Sequence, residues 1–297
     1  MNAEFRLPLD FDLPARATSW QLRTRRLEFS HRPAIMGVVN VTPDSFSDGG
    51  RLGTRDDAIR HTRALVAEGA DLLDIGGESS RPGSEPVSVV EELRRVIPLI
   101  EALREDINVP ISIDTTKAEV ARRALEAGAS IVNDITGLTG DPGMLRLAAE
   151  TDAGIVIMHM AGTPRTMQLD PRYEDVVREV HDALAERIDA AEAAGIPRER
   201  IAIDPGIGFG KTFDHNRELL RNLGRFANLG CAILIGTSRK GFLGAITGRP
   251  VDQRQTASVV SSLFAATRGA GIVRVHDVGA MVDAIKVWSE LEGWESQ

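Results

Sequence analysis

One recurring pattern constrains the fold of this chain more than any other feature. A stretch with helical spacing ends in glycine, a short apolar segment follows, and a polar or glycine-rich segment comes next, as after Gly69, Gly128 and Gly269. Glycine tolerates the left-handed conformation that ends a helix, so the chain can turn directly into a strand. The apolar segments are rich in β-branched residues, which is typical of parallel strands covered on both faces. The pattern therefore predicts alternating strands and helices.

The predicted strands follow one another at intervals of roughly 30 residues, which favours a closed (β/α)8 TIM barrel over an open doubly wound sheet. They are placed at residues 34–40, 71–75, 111–114, 131–134, 155–159, 201–204, 232–236 and 271–275. No G-x-G-x-x-G follows the first strand, which disfavours a dinucleotide-binding fold. The predicted fold class is α/β, with one barrel domain over residues 34–297. Residues 1–33 are predicted to be a short N-terminal extension that forms a cap or a hairpin at the barrel bottom.

Composition disfavours two classes of partner. The formal net charge is −8, so the basic surface that nucleic-acid binding requires is not expected. No apolar run approaches the length of about 20 residues that a membrane span needs. The single cysteine, Cys231, cannot form an internal disulfide, and the first residues lack the layout of a signal peptide. We therefore expect a cytoplasmic protein.

Polar residues stand at the end of almost every predicted strand, which is where the active sites of these barrels lie. They are Asn40, Asp114, Asn133, His159, Asp204, Ser238, Arg239, Lys240, Arg274 and His276. Buried carboxylates cost free energy unless they are paired, so a barrel built only for stability would not need them. Their convergence at one mouth predicts a binding site there.

The last two strands predict a pyrophosphate site. Arg274 and His276 are two residues apart, so their side chains leave the same face of the strand. Asp277 can cap a helix beginning near Val278, whose N-terminus would add N–H donors and the positive end of its dipole. Residues 238–240 (SRK) add local positive charge to an acidic chain, and phosphate sites in such barrels often follow strands 7 and 8.

A second group of strand ends predicts a site for a flat heterocycle. Asp114 and Asp204 supply acceptors, and the amide of Asn133 can both donate and accept. The group lacks the His and Cys ligands of a zinc site. His159, flanked by two methionines, is interpreted as a wall or core residue rather than a base.

With these residues in place, residues 34–290 resemble the dihydropteroate synthase family. The resemblance rests on MGVVNVTPDSFSDGG at 36–50, DIGGESSRPG at 74–83, MHMAGTP at 158–164, DPGIGFGK at 204–211, SRKG at 238–241 and RVHD at 274–277. It implies an enzyme that joins p-aminobenzoate to a dihydropterin diphosphate and releases pyrophosphate. It also implies a homodimer formed through the later helices.

The resemblance assigns roles to individual residues. Asp114, Asn133, Asp204 and Lys240 are expected to bind the pterin ring, with Met158 and Phe209 flanking it. Asn40 is expected to be the protein ligand of a Mg²⁺ ion that also binds the diphosphate, and Arg274 and His276 to hold the diphosphate. The p-aminobenzoate pocket is assigned to Phe46, Asp48, Ser80, Arg81, Pro82 and Ser238. Catalytic roles are expected for Asp48, Arg81, Lys240 and Arg274.

One departure and two alternatives follow from the same comparison. Ser80 stands where the family more often has threonine, so a hydroxyl is kept and a methyl group is lost. Corrinoid-linked methyltransferase domains also bind reduced pterins in a barrel, but the segment 40–50 and the SRK motif argue against that class. A catalytically silent pterin-binding paralogue would be expected to have lost loop or diphosphate residues, which are present here.

Overall fold

The chain, seen in a computed structural model, is described over residues 16–29, 32–41, 55–80 and 83–292. Within these residues, eight parallel strands close into a barrel in the order β10-β3-β4-β5-β6-β7-β8-β9. Two further strands, β1 (Ser19–Gln21) and β2 (Arg26–Glu28), pair as a separate antiparallel hairpin. The barrel strands are β3 (Ala34–Asn40), β4 (Leu72–Gly76), β5 (Ile111–Asp114), β6 (Ile131–Asp134), β7 (Gly154–Met158), β8 (Ile201–Asp204), β9 (Ala232–Ile235) and β10 (Ile272–Val275).

Helices surround the barrel and connect its strands. They are α1 (Arg55–Ala67), α2 (Val89–Leu103), α3 (Ala118–Ala127), α4 (Met144–Glu150), α5 (Val176–Ala193), α6 (Phe213–Arg221), α7 (Gly241–Thr247), α8 (Gln255–Ala266) and α9 (Val278–Glu292). Gly128 ends α3 with a φ of 130°. This is the left-handed region that the glycine pattern predicted.

Side chains alternate between the barrel interior and the helical layer along each strand. Met36, Leu72 and Ile272 belong to one buried cluster inside the barrel. Their neighbours Ile35 and Leu73 belong to the larger cluster that packs against the helices. Because successive side chains of a strand point to opposite faces, this alternation also determines which polar residues face inward at the mouth.

The β1–β2 hairpin closes the bottom of the barrel. Trp20 is fully buried in the interior cluster with Leu22, and its indole Nε1 donates to the carbonyl oxygen of Arg200, 2.8 Å away. A Cβ atom added at Gly154 would lie 2.7 Å from Leu22 Cδ2. Since Arg200 precedes β8 and Gly154 begins β7, the contact is at the N-terminal ends of the strands.

The predicted TIM barrel is confirmed, with strand ends that differ by at most one residue from the predicted ones. The division into an extension of residues 1–33 and a barrel of residues 34–297 stays a prediction. Among the described residues, no helix combines the length and apolar character that crossing a membrane requires.

Replacing Trp20 by alanine is expected to lower the free energy of unfolding by about 3–5 kcal/mol, because a large core side chain is lost and a cavity remains. Urea unfolding followed by circular dichroism measures the change. Val287→Ala, at a side chain that is 61% exposed on α9, is the control and should change stability little. An unchanged midpoint for Trp20→Ala would show that the hairpin does not contribute to barrel stability.

Candidate active site

The register of the sheet brings the predicted residues of β3, β5 and β6 into one row at the mouth. Asn40 pairs with Gly76, Gly76 pairs with Asp114, and Asp114 pairs with Asn133. On the next part of the barrel Met158 pairs with Asp204. Because all eight strands are parallel, these residues share the C-terminal rim, as predicted for an active site of this fold.

A partly buried ion-pair network connects this row to Asp74 and Arg274. Arg274 donates from Nε to Asp74 Oδ2 at 2.6 Å and from Nη2 to Asp114 Oδ2 at 2.8 Å. Asn133 Nδ2 donates to the same Asp74 oxygen at 3.1 Å. Asp74 is completely buried, and its other oxygen, Oδ1, has no hydrogen-bond partner among the described residues. The network therefore joins three predicted residues through a fourth that was not predicted.

Asp74 was not among the predicted site residues, although it lies in the DIGGESSRPG motif. Its position in the strand was the available signal. Asp74 is two residues before Gly76 in β4, so the two residues share one face of the strand, and an inward-facing strand end implies an inward-facing Asp74. A carboxylate inside a barrel requires a buried cationic partner. Arg274 on β10 is that partner.

Burial beside a second carboxylate changes the proton affinity of Asp114. Burial, together with the nearby Asp74 carboxylate, raises the pKa of Asp114 to about 7 in spite of Arg274. Burial by itself lowers the pKa of Arg274, but the two carboxylates outweigh it and the net pKa is raised. Arg274 therefore stays charged, while Asp114 can take up a proton near neutral pH.

Two glycines leave space beside this network. Gly76 and Gly236 occupy inward-facing positions by strand parity. A Cβ added at Gly76 would lie 3.4 Å from Asp114 Cβ, and one at Gly236 would lie 3.8 Å from Arg274 Cβ. The missing side chains leave Asp114 and Arg274 accessible from the mouth, as a ligand site requires.

The loop after β8 holds Asp204 and Phe209 against the mouth. Asp204 Oδ1 accepts from the backbone N–H of Gly206 at 2.7 Å, and burial raises the pKa of Asp204. Gly206 has a φ of 71°, and a Cβ there would be only 2.0 Å from the carbonyl oxygen of His159. Only glycine fits this position, so the loop conformation is set by sequence.

The cation predicted for the pterin lies over an aromatic ring. Lys240 Nζ is 3.8 Å from the centroid of the Phe209 ring, a cation–π contact. Burial and the charge of Arg274 lower the pKa of Lys240 to about 8, although Asp204 and Asp114 act in the opposite direction. The protonation of Lys240 is therefore coupled to the charges of Arg274, Asp204 and Asp114.

An apolar cluster lies beside the polar residues of the mouth. Ile135, Met158, Met167 and Phe209 make one buried cluster, with Met160 packed against it. Met158 and Phe209 were the two residues predicted to flank a flat ring, and the structure places them in the same cluster. Polarizable methionine and an aromatic ring suit stacking against a heterocycle.

His159 lies behind this cluster and is held by a buried lysine. Lys211 Nζ lies 3.1 Å from His159 Nδ1 and donates to the carbonyl oxygen of Phe209 at 2.9 Å. Burial and the Lys211 charge lower the pKa of His159 to about 3, and burial lowers the pKa of Lys211 to about 7. A histidine that is neutral over the physiological range and bonded in this way fits the interpretation as a wall or core residue rather than a base.

The ends of β9 and β10 come together through Ser238 and His276. Ser238 Oγ accepts from the backbone N–H of His276 at 3.2 Å and lies 2.9 Å from His276 Nδ1. Asp277 was predicted to cap the following helix, which begins at Val278. Its carboxylate accepts from Arg239 at 2.9 and 3.4 Å. Arg239 has a φ of 59°, a strained conformation for a residue other than glycine that costs about 1–2 kcal/mol.

The loop after β4 is anchored by a second ion cluster that sequence analysis did not predict. Lys117 pairs with Glu78 and, at 2.5 Å, with the completely buried Glu92 on α2. Ser80 is half-buried in this loop. Phe46, Asp48, Arg81 and Pro82, also predicted for the site, lie outside the described residues.

The amide oxygen of Asn40 is a candidate ligand for a hard metal ion. Asn40 ends β3 and can supply one amide oxygen, a hard ligand of the kind Mg²⁺ accepts. Within the part of the chain that the structure describes, no three His, Cys, Asp or Glu side chains are grouped as metal ligands. Mg²⁺ commonly takes one or two protein ligands and completes its shell with phosphate and water, so Asn40 fits an ion of that kind.

Proteins similar to this chain show the family to which it belongs. The model of the family described as "Pterin binding enzyme" matches residues 36–276. The dihydropteroate synthase of Escherichia coli K12 is 46% identical over 261 residues, which are 88% of this chain and 92% of that protein. The chain belongs to the dihydropteroate synthase family. This membership decides against the corrinoid-linked methyltransferase alternative.

Solved structures of the family share the fold closely. The Xanthomonas albilineans dihydropteroate synthase with 4-aminobenzoic acid is 51% identical, with a TM-score of 0.86 over 93% of this chain and 99% of that one. The Burkholderia cenocepacia dihydropteroate synthase complexed with 7,8-dihydropteroate is 48% identical, with a TM-score of 0.85 over 94% of this chain and 98% of that one.

Removing Arg274 should destabilise the protein more than removing it together with the charge of Asp74. Arg274→Met leaves buried Asp74 without its cation, which is expected to cost about 3–5 kcal/mol in free energy of unfolding. The double variant Arg274→Met/Asp74→Asn should recover a large part of this loss. Urea unfolding at pH 8 measures both. Equal losses in the single and double variants would show that the ion pair is not what stabilises this region.

Proposed function

We propose that this chain condenses 6-hydroxymethyl-7,8-dihydropterin diphosphate with p-aminobenzoate to give 7,8-dihydropteroate and pyrophosphate. The observation that carries the proposal is the network of Arg274, Asp74, Asp114 and Asn133 at the barrel mouth. It offers acceptors and an amide for a flat heterocycle directly beside a permanent cation for a phosphoryl group. Family relatives bound to 4-aminobenzoic acid and to 7,8-dihydropteroate support the same assignment.

The pterin ring is proposed to bind between the polar network around Asp114 and the apolar cluster of Met158 and Phe209. Its amino and ring N–H groups would donate to Asp114 and Asp204, and Asn133 would both donate and accept. Lys240 would donate to the ring oxygen and a ring nitrogen. Met158 and Phe209, which share one buried cluster, would cover the faces of the ring.

The diphosphate is proposed to lie toward β10. Arg274 supplies a guanidinium that stays charged, and His276 stands at the N-terminus of α9. Helix N-termini offer N–H donors to anions. These groups would stabilise the charge that develops on the departing pyrophosphate, the electrostatic contribution that usually dominates such catalysis.

The reaction is proposed to be a substitution at the exocyclic methylene carbon of the pterin. The bond from this carbon to the diphosphate oxygen breaks with its electron pair leaving on pyrophosphate, and the arylamine nitrogen forms the new bond and then loses a proton. Asp114 and Asp204 would favour the positive charge that the pterin shares with its methylene. The neutral arylamine is already a nucleophile, so the mechanism requires no strong base. Because the pterin can share positive charge with its methylene, bond breaking is proposed to run ahead of attack.

The p-aminobenzoate pocket is proposed to lie over the methylene, between Ser238 and the loop after β4. Of its predicted members, Ser80 and Ser238 are described. Mg²⁺, which would be held by Asn40 and the diphosphate, would supply charge neutralisation of the phosphoryl oxygens when bound.

The decisive assay measures pyrophosphate released from dihydropterin diphosphate, with and without p-aminobenzoate and Mg²⁺. We expect release to require p-aminobenzoate for sustained turnover and to be strongest with Mg²⁺. Lys240→Ala should bind the pterin diphosphate at least about tenfold more weakly, since a charge-assisted hydrogen bond is lost. Wild-type turnover in Lys240→Ala would contradict the pterin assignment, and no turnover in the wild type would favour the silent paralogue.

Pterin binding should depend on pH in both directions. The carboxylate of Asp114, whose pKa is about 7, accepts from the ring, so affinity should rise as pH climbs toward and past 7. The ammonium of Lys240, whose pKa is about 8, donates to the ring, so affinity should fall at higher pH. Calorimetry with 6-hydroxymethyl-7,8-dihydropterin avoids phosphate titration. Asp114→Asn should remove the acidic limb, and a flat profile from pH 6 to 9 in the wild type would refute these assignments.

A homodimer through the later helices is also proposed. A surface cavity of about 740 Å³ lies between α6, α7 and α8 and is lined by Phe213, Phe242, Ile246, Val260 and Phe264 among others. Ile246 is 62% exposed and Val260 is 61% exposed. Apolar side chains grouped at a surface are typical of a subunit interface.

Val260→Asp is expected to shift the sedimenting species from two chains to one, because a charge would be buried at the interface. Val90→Asp, which changes an exposed valine on the early helix α2, is the matched control and should stay dimeric. A wild-type mass of a single chain would refute the dimer. The cytoplasmic location stays a prediction, which fractionation of source cells would test.

A further inference from the structure

The turn between β9 and α7 contains a strained residue between two residues of the proposed site. Ser238 and Lys240 flank Arg239, whose φ of 59° lies in the left-handed region. Residues other than glycine persist in this conformation only where their surroundings over-determine it. The backbone of Arg239 therefore has to be held by neighbouring groups.

Three separate contacts hold it. The backbone N–H of Arg239 donates to Ser258 Oγ at 2.8 Å. Its carbonyl oxygen accepts from Arg254 Nη1 at 3.2 Å. Its guanidinium donates to Asp277 at 2.9 Å. The donor, the acceptor and the side chain of Arg239 are thus each fixed by another element.

Arg254 fixes the following peptide as well. Its Nη1 also lies 3.4 Å from the carbonyl oxygen of Lys240, and its Nε donates to the carbonyl oxygen of Arg249 at 2.9 Å. Gly244 makes room for this guanidinium, since a Cβ there would be 2.2 Å from Arg254 Nη2. A planar group with several donors can bind successive carbonyls in this way, whereas a lysine ammonium lacks the fork.

Ser258 links the two ends of this arrangement. It is buried one turn into α8, and its hydroxyl donates to the carbonyl oxygen of Arg254 at 2.7 Å while it accepts from Arg239. The start of α8 is therefore bonded directly to the turn that carries Ser238 and Lys240.

We infer that Arg254, supported by Ser258, is a positioning residue that keeps Arg239 in its left-handed conformation and thereby holds Lys240 over the Phe209 ring. The inference rests on the proposed function, because Lys240 is assigned to the pterin there. Without the Arg254 donors, Arg239 can relax to a negative φ. That change rotates the next peptide and moves the Lys240 side chain away from the ring.

The test measures binding of 6-hydroxymethyl-7,8-dihydropterin diphosphate by calorimetry in the full-length protein. Arg254→Met should raise the Kd roughly ten- to a hundredfold, a range typical of residues coupled in one network. Arg254→Lys and Ser258→Ala should raise it by smaller factors, and they keep the inference testable if Arg254→Met does not fold. Gln255→Ala changes the exposed neighbour at the start of α8 and should bind like the wild type.

A double-mutant cycle separates positioning from general stability. In a Lys240→Ala background, Arg254→Met should add little further loss of affinity, because the residue through which it acts is gone. A full, additive loss in that background would overturn the inference, as would wild-type affinity in Arg254→Met, Arg254→Lys and Ser258→Ala. If the wild type itself neither binds the pterin diphosphate nor releases pyrophosphate, the proposed function fails and not this inference alone.

Discussion

The sharing of the Arg274 guanidinium by Asp74 and Asp114 is the interaction on which the candidate site depends. Charges in the interior of a barrel are tolerated only when they are paired, and this pairing ties β10 to β4 and β5. The acid–base character of the mouth follows from the same crowding of charge: burial and the Asp74 carboxylate raise the pKa of Asp114 in spite of Arg274, and burial together with the charge of Arg274 lowers the pKa of Lys240. The polar groups of the mouth are thus already positioned in the absence of a ligand.

This preorganisation supports the proposal that a ring and a phosphoryl group bind side by side at the mouth. When the N–H groups of a heterocycle engage the carboxylates, part of the negative charge that surrounds Arg274 becomes shared with the ligand. The guanidinium is then better able to interact with an anion beside it. One network would therefore couple the two halves of the substrate, and relatives bound to 7,8-dihydropteroate show that this family accommodates the joined pterin product.

The fold was predictable because it depends on local signals. Short β-branched strands, glycines that end helices and a regular spacing determine the barrel, and strand parity places Asp114, Asn133 and Arg274 at one mouth. Contacts between distant segments were less accessible. Strand parity could place Asp74 inside the barrel, but its partner Arg274 is 200 residues away. The residues that bond to the Arg239 backbone, Arg254 and Ser258, are 15 and 19 residues further along the chain. Lys117, Glu78 and Glu92 meet from three segments, which no spacing reveals.

The hairpin under the barrel limits the directions from which ligands can enter the interior. Trp20 and Leu22 fill the base of the barrel. Within the described residues, the interior therefore opens toward the C-terminal rim. A molecule seated against Asp74 lies deeper than anything resting near Ser80 or Ser238. In the binding mode proposed above, the molecule nearer the rim would block the exit of the deeper one, so the deeper ligand would have to bind first and leave last.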